Sequence, residues 1–249
     1  MSTTNFKISE SCVLGKNVVI GDNVEIGDYC EIGNNVVIHS DTKIGDYVRI
    51  DDNTVLGKYP MKSINSATTK NESLEGLIIG NNVLIGANVV IYRGAKIADY
   101  VLIADLASVR EHVSIGEKTI VGRGVCIENY CTIGKKCKLE SNSYITAYST
   151  LEDYVFIAPG VLTSNDNYVG RTEERFKHFK GVYVKRGARI GVGAKILPGK
   201  IIYEDALVAA GALVTKDVPA RQIWAGVPAK YFRDVPKEQL LENQNFYEG

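Results

Sequence analysis

A six-residue rhythm runs through most of this 249-residue chain and limits what it can fold into. Every sixth residue from Ile8 is apolar: Ile8, Leu14, Ile20, Ile26, Ile32, Ile38, Ile44, Ile50 and Leu56. The rhythm restarts at Ile79, holds through Ile157 and slips only at Thr163; a third block runs from Val184 to Val214. In all, 29 of these 30 leading positions are Ile, Leu or Val, well beyond chance placement. An α-helix needs apolar residues at a 3.6 spacing and a β-sandwich needs longer alternating strands, so neither fits a period of six. Gly often follows the leading residue, as at Gly21, Gly27 and Gly116, where a tight corner with positive φ is expected. The fifth position is small or β-branched, as in Val18, Val24, Cys30, Val36 and Thr42. Positions one and five therefore point inward. Six residues make one short strand and a corner, three strands make an 18-residue coil, and coils stack about 4.8 Å apart. Each coil buries its side chains against its neighbours, which defines a solenoid.

Composition removes several partners. The 29 basic and 29 acidic residues balance, so no broad basic field attracts nucleic acid. No apolar run approaches the roughly 20 residues of a membrane span, and Met1 to Lys7 lacks the apolar stretch of a signal peptide. The expectation is a cytoplasmic protein that engages neither nucleic acid nor membrane. The five cysteines have no zinc-site spacing, and no metal is expected. Cys12, Cys30, Cys131 and Cys137 take fifth positions and read as small interior side chains; Cys126 takes an outward one.

The rhythm breaks at residues 57–77 and 164–182. A solenoid gains nothing from expelling some 20 residues, so such excursions usually carry function or disorder. The repeat region spans residues 1–218, and a tail spans 219–249. Within the tail, Pro236 to Tyr247 reads as one short helix covering the open end of the prism.

The hexads, with the tail Lys216-Asp217-Val218-Pro219 and Ala225-Gly226-Val227-Pro228-Ala229-Lys230, resemble the left-handed β-helix acyltransferases over residues 8 to 233. That resemblance implies the left hand, acetyl-CoA as acyl donor, and a homotrimer with each site between two prisms. Ala158 to Tyr168 is similar to the segment with a Thr-Asn-Asp core in N-acetyltransferases acting on dTDP- or UDP-linked 3-amino sugars. Here Ser164 separates Thr163 from Asn165-Asp166, and Lys138 to Ser143 stands where several relatives carry Gln-Asn-Asn. The expected fold is an all-β left-handed parallel β-helix of about ten coils. The implied activity is transfer of acetyl from acetyl-CoA to the amine of a nucleotide-linked amino sugar in cell-surface polysaccharide synthesis. The alternatives are O-acetylation of serine or a simple sugar, a longer acyl group, a metal-dependent hydratase needing three gathered histidines, and a non-catalytic solenoid.

Residues 18 apart become vertical neighbours, which gives a site map. One ladder is His112, Tyr130, Tyr148 and Asp166; beside it run Glu111, Asn129, Ala147 and Asn165, then Arg110, Glu128, Thr146 and Ser164. Any solvated face also shows a polar stripe, but this one ends at the Asn165-Asp166 segment. Asp166, Asn165 and His112 are the catalytic candidates. Glu128, Asn129, Tyr148, Glu140, Asn142 and Tyr168 are the substrate-binding candidates. Small residues in the late coils suit a pantetheine groove: Gly193 with Gly211, and Ala194 with Ala212. Lys195, Lys230 and Arg233, along with Lys185 and Arg186, suit the phosphates of CoA, and Pro228 in the tail motif is a further cofactor-binding candidate. The proton of the attacking amine has two routes: His112 as a base, or the departing thiolate with catalysis mainly by proximity. Only three histidines are present, and three coil steps part His112 from Asp166, so the second route is preferred.

Overall fold

The computed structural model describes residues 6–244 and is a three-sided parallel β-solenoid. Two-residue strands alternate with corners. The first sheet runs from Lys7–Ile8 to Ile201–Ile202 and the third from Val19–Ile20 to Leu213–Val214, each with ten strands. The second begins at Val13–Leu14 and has twelve strands, because a C-terminal hairpin adds two. Strand partners lie 18 residues apart, as in Ile97 opposite Ile115. The closed three-sheet order matches the expected β-helix and is consistent with the left hand; the twelve strands of the second sheet exceed the ten coils expected.

The offset rises to 35 between Ile44 and Ile79, so 17 residues are expelled there. Between Leu151 and Val184 it is 33, an insertion of 15. The second excursion contains the only α-helical turn among the described residues, Arg175–His178. No helix among them is long and apolar enough to cross a membrane.

Leading residues fill the core from Ile26 to Val214, with Val, Ala, Thr and Cys at the fifth positions. Interior threonines bond to main-chain carbonyls: Thr54 to Gly86 at 2.8 Å and Thr119 to Gly134 at 2.8 Å. Cys30, Cys131 and Cys137 are buried as expected, and burial pushes their thiols up, to about 11 for Cys30. They are packing residues, not nucleophiles.

The corners correct one expectation. Gly21, Gly27 and Gly116 do not have positive φ; that conformation falls two residues later, on Asn23, Tyr29 and Lys118. What demands glycine after the leading residue is the next coil. A Cβ on Gly116 would lie 2.6 Å from the Lys135 amide nitrogen, and one on Gly27 would lie 2.8 Å from the Gly45 carbonyl.

The two ends differ. At the N-terminal end Leu14, an interior position, is 43 % exposed. At the C-terminal end Val208, Val214 and Val218 are fully buried. The closure differs from the expected helix. Gln222–Ala225 pairs in parallel with Leu207–Val208 and antiparallel with Lys230–Asp234. The Leu213 amide bonds to Gly226, and Ala229 packs into the core. Beyond that stand two single 3-10 turns, Lys237–Gln239 and Leu241–Asn243, which lie beside Arg189 and Asp205 and not across the end. Residues 245–247 of the expected helix lie outside the described residues.

Candidate functional site

Both excursions leave the same corner, between the third sheet and the first: one after Val55–Lys58, the other after Leu162–Thr163. Between their exits the corner residues are Tyr92-Arg93-Gly94, Arg110-Glu111-His112, Glu128-Asn129-Tyr130 and Thr146-Ala147-Tyr148. His112, Tyr130 and Tyr148 each occupy the left-handed region, at φ of 57°, 60° and 65°. Identical backbone geometry in successive coils stacks their rings. His112 and Tyr130 centroids are 4.7 Å apart, and Tyr130 and Tyr148 are 5.2 Å apart, all nearly parallel. Three of the four rungs of the expected ladder thus stand.

The fourth does not. The chain departs at Ser164, and the corner beneath Tyr148 is filled by Gly181, where an added Cβ would come within 2.4 Å of the Tyr148 carbonyl carbon. Asp166 lies in the excursion. Its carboxylate accepts the Tyr168 and Gly170 amides, each at 2.9 Å, and pairs with Arg175 Nε at 2.9 Å. Desolvation opposes ionisation, but these donors hold the carboxyl below its ordinary range. Asp166 therefore shapes the loop and does not meet His112 within one chain. Asn165 stays at the corner, its carbonyl accepting the Lys180 amide at 3.1 Å. Tyr168 stacks on His178 at 5.9 Å, beside a cavity of about 430 Å³ that Lys180 and Lys200 also line.

The second correction concerns exposure. The excursion 57–77 lies along the stripe and, with the coils, buries Glu111 and Asn129, while His112 stays exposed and Tyr130 and Tyr148 half-buried. Arg110 makes a paired contact with the Glu111 carboxylate at 2.8 and 2.9 Å and reaches Thr69 at 3.0 Å. Glu111 is 2 % exposed. Asn129, also buried, donates to Glu111 at 3.2 Å and to the Thr68 carbonyl at 3.0 Å, and its own carbonyl oxygen has no protein partner. Glu128 lies 3.5 Å from Arg110. Burial raises its carboxyl, helped by the negative Glu111, while Arg110 opposes the rise. Burial, then Glu128, push the Tyr144 phenol to about 12.

The same excursion delivers Glu72, which residue order alone did not flag. Glu72 Oε1 is 3.0 Å from His112 Nε2 and accepts the Tyr130 hydroxyl at 2.8 Å. The Tyr130 and His112 bonds hold its carboxyl below the usual range. Lys70 lies 5.0 Å over the Tyr130 ring. No periodicity runs through residues 57–77, so nothing in their order announced which of them would fall on the corner.

Glu140 and Asn142 sit elsewhere, at the corner between the second and third sheets. The column of Asn142 continues through Gly160, Gly193 and Gly211. At these three glycines φ is 66–69° and an added Cβ would meet nothing within 4 Å, so a strip of bare backbone faces outward. Ala194 and Ala212 do not line it; both are fully buried and point into the prism. Lys195 is outward and exposed on the adjoining strand. Pro228 belongs to the turn beside Leu213, whereas Lys230 and Arg233 are exposed on the last strand. Lys185 pairs with Glu152 at 3.3 Å, and Arg186 lies over the Tyr154 ring. Among the described residues no group of His, Cys, Asp and Glu is placed to hold a metal ion.

Residues 7–40, 25–58 and 76–110 match the model for the bacterial transferase hexapeptide (six repeats), and residues 112–147 match that for the hexapeptide repeat of succinyl-transferase. The chain therefore carries the hexapeptide repeat of these transferases over residues 7–58, 76–110 and 112–147. It is 29 % identical over 133 residues to a putative acetyltransferase of Saccharomyces cerevisiae, covering 46 % of this chain and 68 % of that one. It is 36 % identical over 63 residues to mitochondrial gamma carbonic anhydrase 2 of Arabidopsis thaliana, 24 % of this chain and 23 % of that one. To the 2,3,4,5-tetrahydropyridine-2,6-dicarboxylate N-acetyltransferase of Staphylococcus aureus it is 43 % identical over 58 residues, covering 23 % of this chain and 24 % of that protein. The chain spans about a quarter of the length of most curated relatives it matches. Among solved structures, the Francisella novicida UDP-N-acetylglucosamine acyltransferase superposes with a TM-score of 0.50 at 20 % identity, over 94 % of this chain and 68 % of the other. A hexapeptide transferase family protein of Anaplasma phagocytophilum gives 0.50 at 20 % identity, over 64 % and 87 %. At that identity the likeness concerns the fold.

Proposed function

We propose that this chain is an acetyl-CoA-dependent N-acetyltransferase acting on the amine of a nucleotide-linked amino sugar. The observation that carries the reading is the His112–Tyr130–Tyr148 stack, set between two excursions on one corner and over a buried Arg110–Glu111–Asn129 cluster. The stacked corners of successive coils hold an imidazole there, solvent-accessible beside the first excursion, where an acceptor can reach it. Transferase repeats and the yeast acetyltransferase match support acyl transfer; the Ser164-Asn165-Asp166 segment supports an amino-sugar acceptor.

The amine nitrogen attacks the thioester carbonyl, a C–N bond forms, and the C–S bond breaks to release the CoA thiolate. His112 takes the proton leaving nitrogen, a role strengthened by the acidic partner found beside it. The bare Gly160–Gly193–Gly211 strip suits the pantetheine arm, whose amides need close backbone approach. It lies on a different corner from His112, so a complete site takes the strip from a second copy. An outward row of Val19, Val37, Val55 and Val90 borders the His112 corner and suits that contact, in a trimer.

Incubation with acetyl-CoA and a panel of dTDP- and UDP-linked amino sugars, following free thiol, tests the reading. Thiol release with at least one amino sugar, abolished in His112→Ala, is expected. Release only with hydroxyl acceptors would move the chain to O-acetylation; no release with any acceptor would remove the acyltransferase reading.

A further inference from the structure

From the position of Glu72 we infer that the excursion 57–77 is a working part of the site, with Glu72 the positioning residue that fixes the tautomer and orientation of His112. This rests on the reading of His112 as the proton acceptor. Three observations converge. Glu72 Oε1 lies 3.0 Å from His112 Nε2. The same oxygen accepts the Tyr130 hydroxyl at 2.8 Å, and Tyr130 is the ring on which His112 stacks. The segment carrying Glu72 is clamped on both sides. Before it, Thr68 and Thr69 are held by Asn129 and Arg110; after it, the Leu74 carbonyl accepts Arg93 Nε at 3.1 Å, and Gly94 donates to the Glu75 carbonyl at 2.9 Å. Arg93, Arg110 and Asn129 all come from the rigid corner, so three successive coils hold the loop.

The chemistry follows from proton inventory. A carboxylate only accepts, so the ring nitrogen facing it must carry the hydrogen. In neutral His112 that nitrogen is Nε2, and the lone pair resides on Nδ1. Nδ1 is then the atom that removes the amine proton, while Glu72 stabilises the imidazolium formed. Tyr130 fixes both members, one by its hydroxyl and the other by its face. A loop that merely decorated the surface would have no reason to place an ionised carboxylate on the single histidine of this stack.

The test pairs a spectroscopic readout with a kinetic one. The chain contains three histidines, so the ring nitrogens of His112 can be assigned in ¹⁵N spectra by comparison with His112→Gln. The parent should show the Nε2–H tautomer. Glu72→Ala should give a tautomer mixture, and Tyr130→Phe, which keeps the ring but drops the hydroxyl, an intermediate pattern. With an acceptor in hand, Glu72→Ala should lower kcat about tenfold or more, part of the 10²–10⁴ that an oriented base contributes, with KM for both substrates within about twofold. Unchanged ¹⁵N shifts in Glu72→Ala would overturn the inference whether or not acyl transfer is found. A raised kcat in Glu72→Ala would also overturn it, since Glu72 would then be blocking the acceptor's place.

Discussion

At the residue scale, the corner concentrates charge in a partly dry place, and Glu128 reports on it. Burial, with Glu111 nearby, raises its carboxyl above the ordinary value of 4.5, so folding disfavours the charged form relative to the unfolded chain. The stability this brings is fully present below the unfolded value and is lost as pH rises through the folded one. Glu128→Gln keeps the neutral shape. It should therefore melt above the parent by about 1–3 °C at pH 7–8, and the gap should close toward pH 4. Thermal melts across that range check this; a gap independent of pH would show that burial of the charge is not the cause. Glu72 behaves in the opposite sense. Its carboxyl is depressed, so its hold on His112 is present above the unfolded value and lost as pH falls through the folded one.

At the scale of the coil, two kinds of glycine serve two purposes. At Gly116 the neighbouring coil forbids a Cβ, so Gly116→Ala should cost about 2–4 kcal/mol in urea unfolding. At Gly193 there is open space but φ is 66°, so Gly193→Ala should cost only about 1–2 kcal/mol. Equal losses would contradict the distinction. The coil rhythm was legible in the sequence because a period of six has one structural solution, and the ring stack followed from it by counting 18. The placement of Asp166 was not legible, since counting fails once the chain leaves the coil at Ser164. Nor was the separation of Glu140 and Asn142 from His112: six residues of displacement moves a side chain to another corner, and the ladder fixes neighbours along one corner only. Glu72 lay beyond reach because loop conformation is set by Arg93, Arg110 and Asn129, residues remote in sequence. Burial of Cys30, Cys131 and Cys137 was foreseeable from the period alone, whereas Cys12, in the first coil at the open N-terminal end, is only half-buried.

At the scale of the whole molecule, the solenoid is a ruler. Its closed end holds the tail turn beside the bare glycine strip, and its middle holds the imidazole under a clamped loop. The strip and the imidazole occupy different corners, so the proposed acyl transfer calls for self-association. Val55→Lys should reduce the assembly seen by sedimentation and lower activity with it, while leaving the unfolding free energy of the isolated chain within about 1 kcal/mol. A full-size assembly with Val55→Lys would move the contact to another face.

The central claim is that acyl transfer takes place at the His112 corner. Three histidines mark separate points of the molecule: His39 in an early coil, His112 in the stack and His178 in the second excursion. Titration of the assembled protein with a non-hydrolysable acetyl-CoA analogue, followed by histidine ring resonances, reads all three at once. The account predicts that His112 shifts with saturation while His39 stays still. Saturable binding that leaves His112 unmoved would place the acyl donor elsewhere and contradict it.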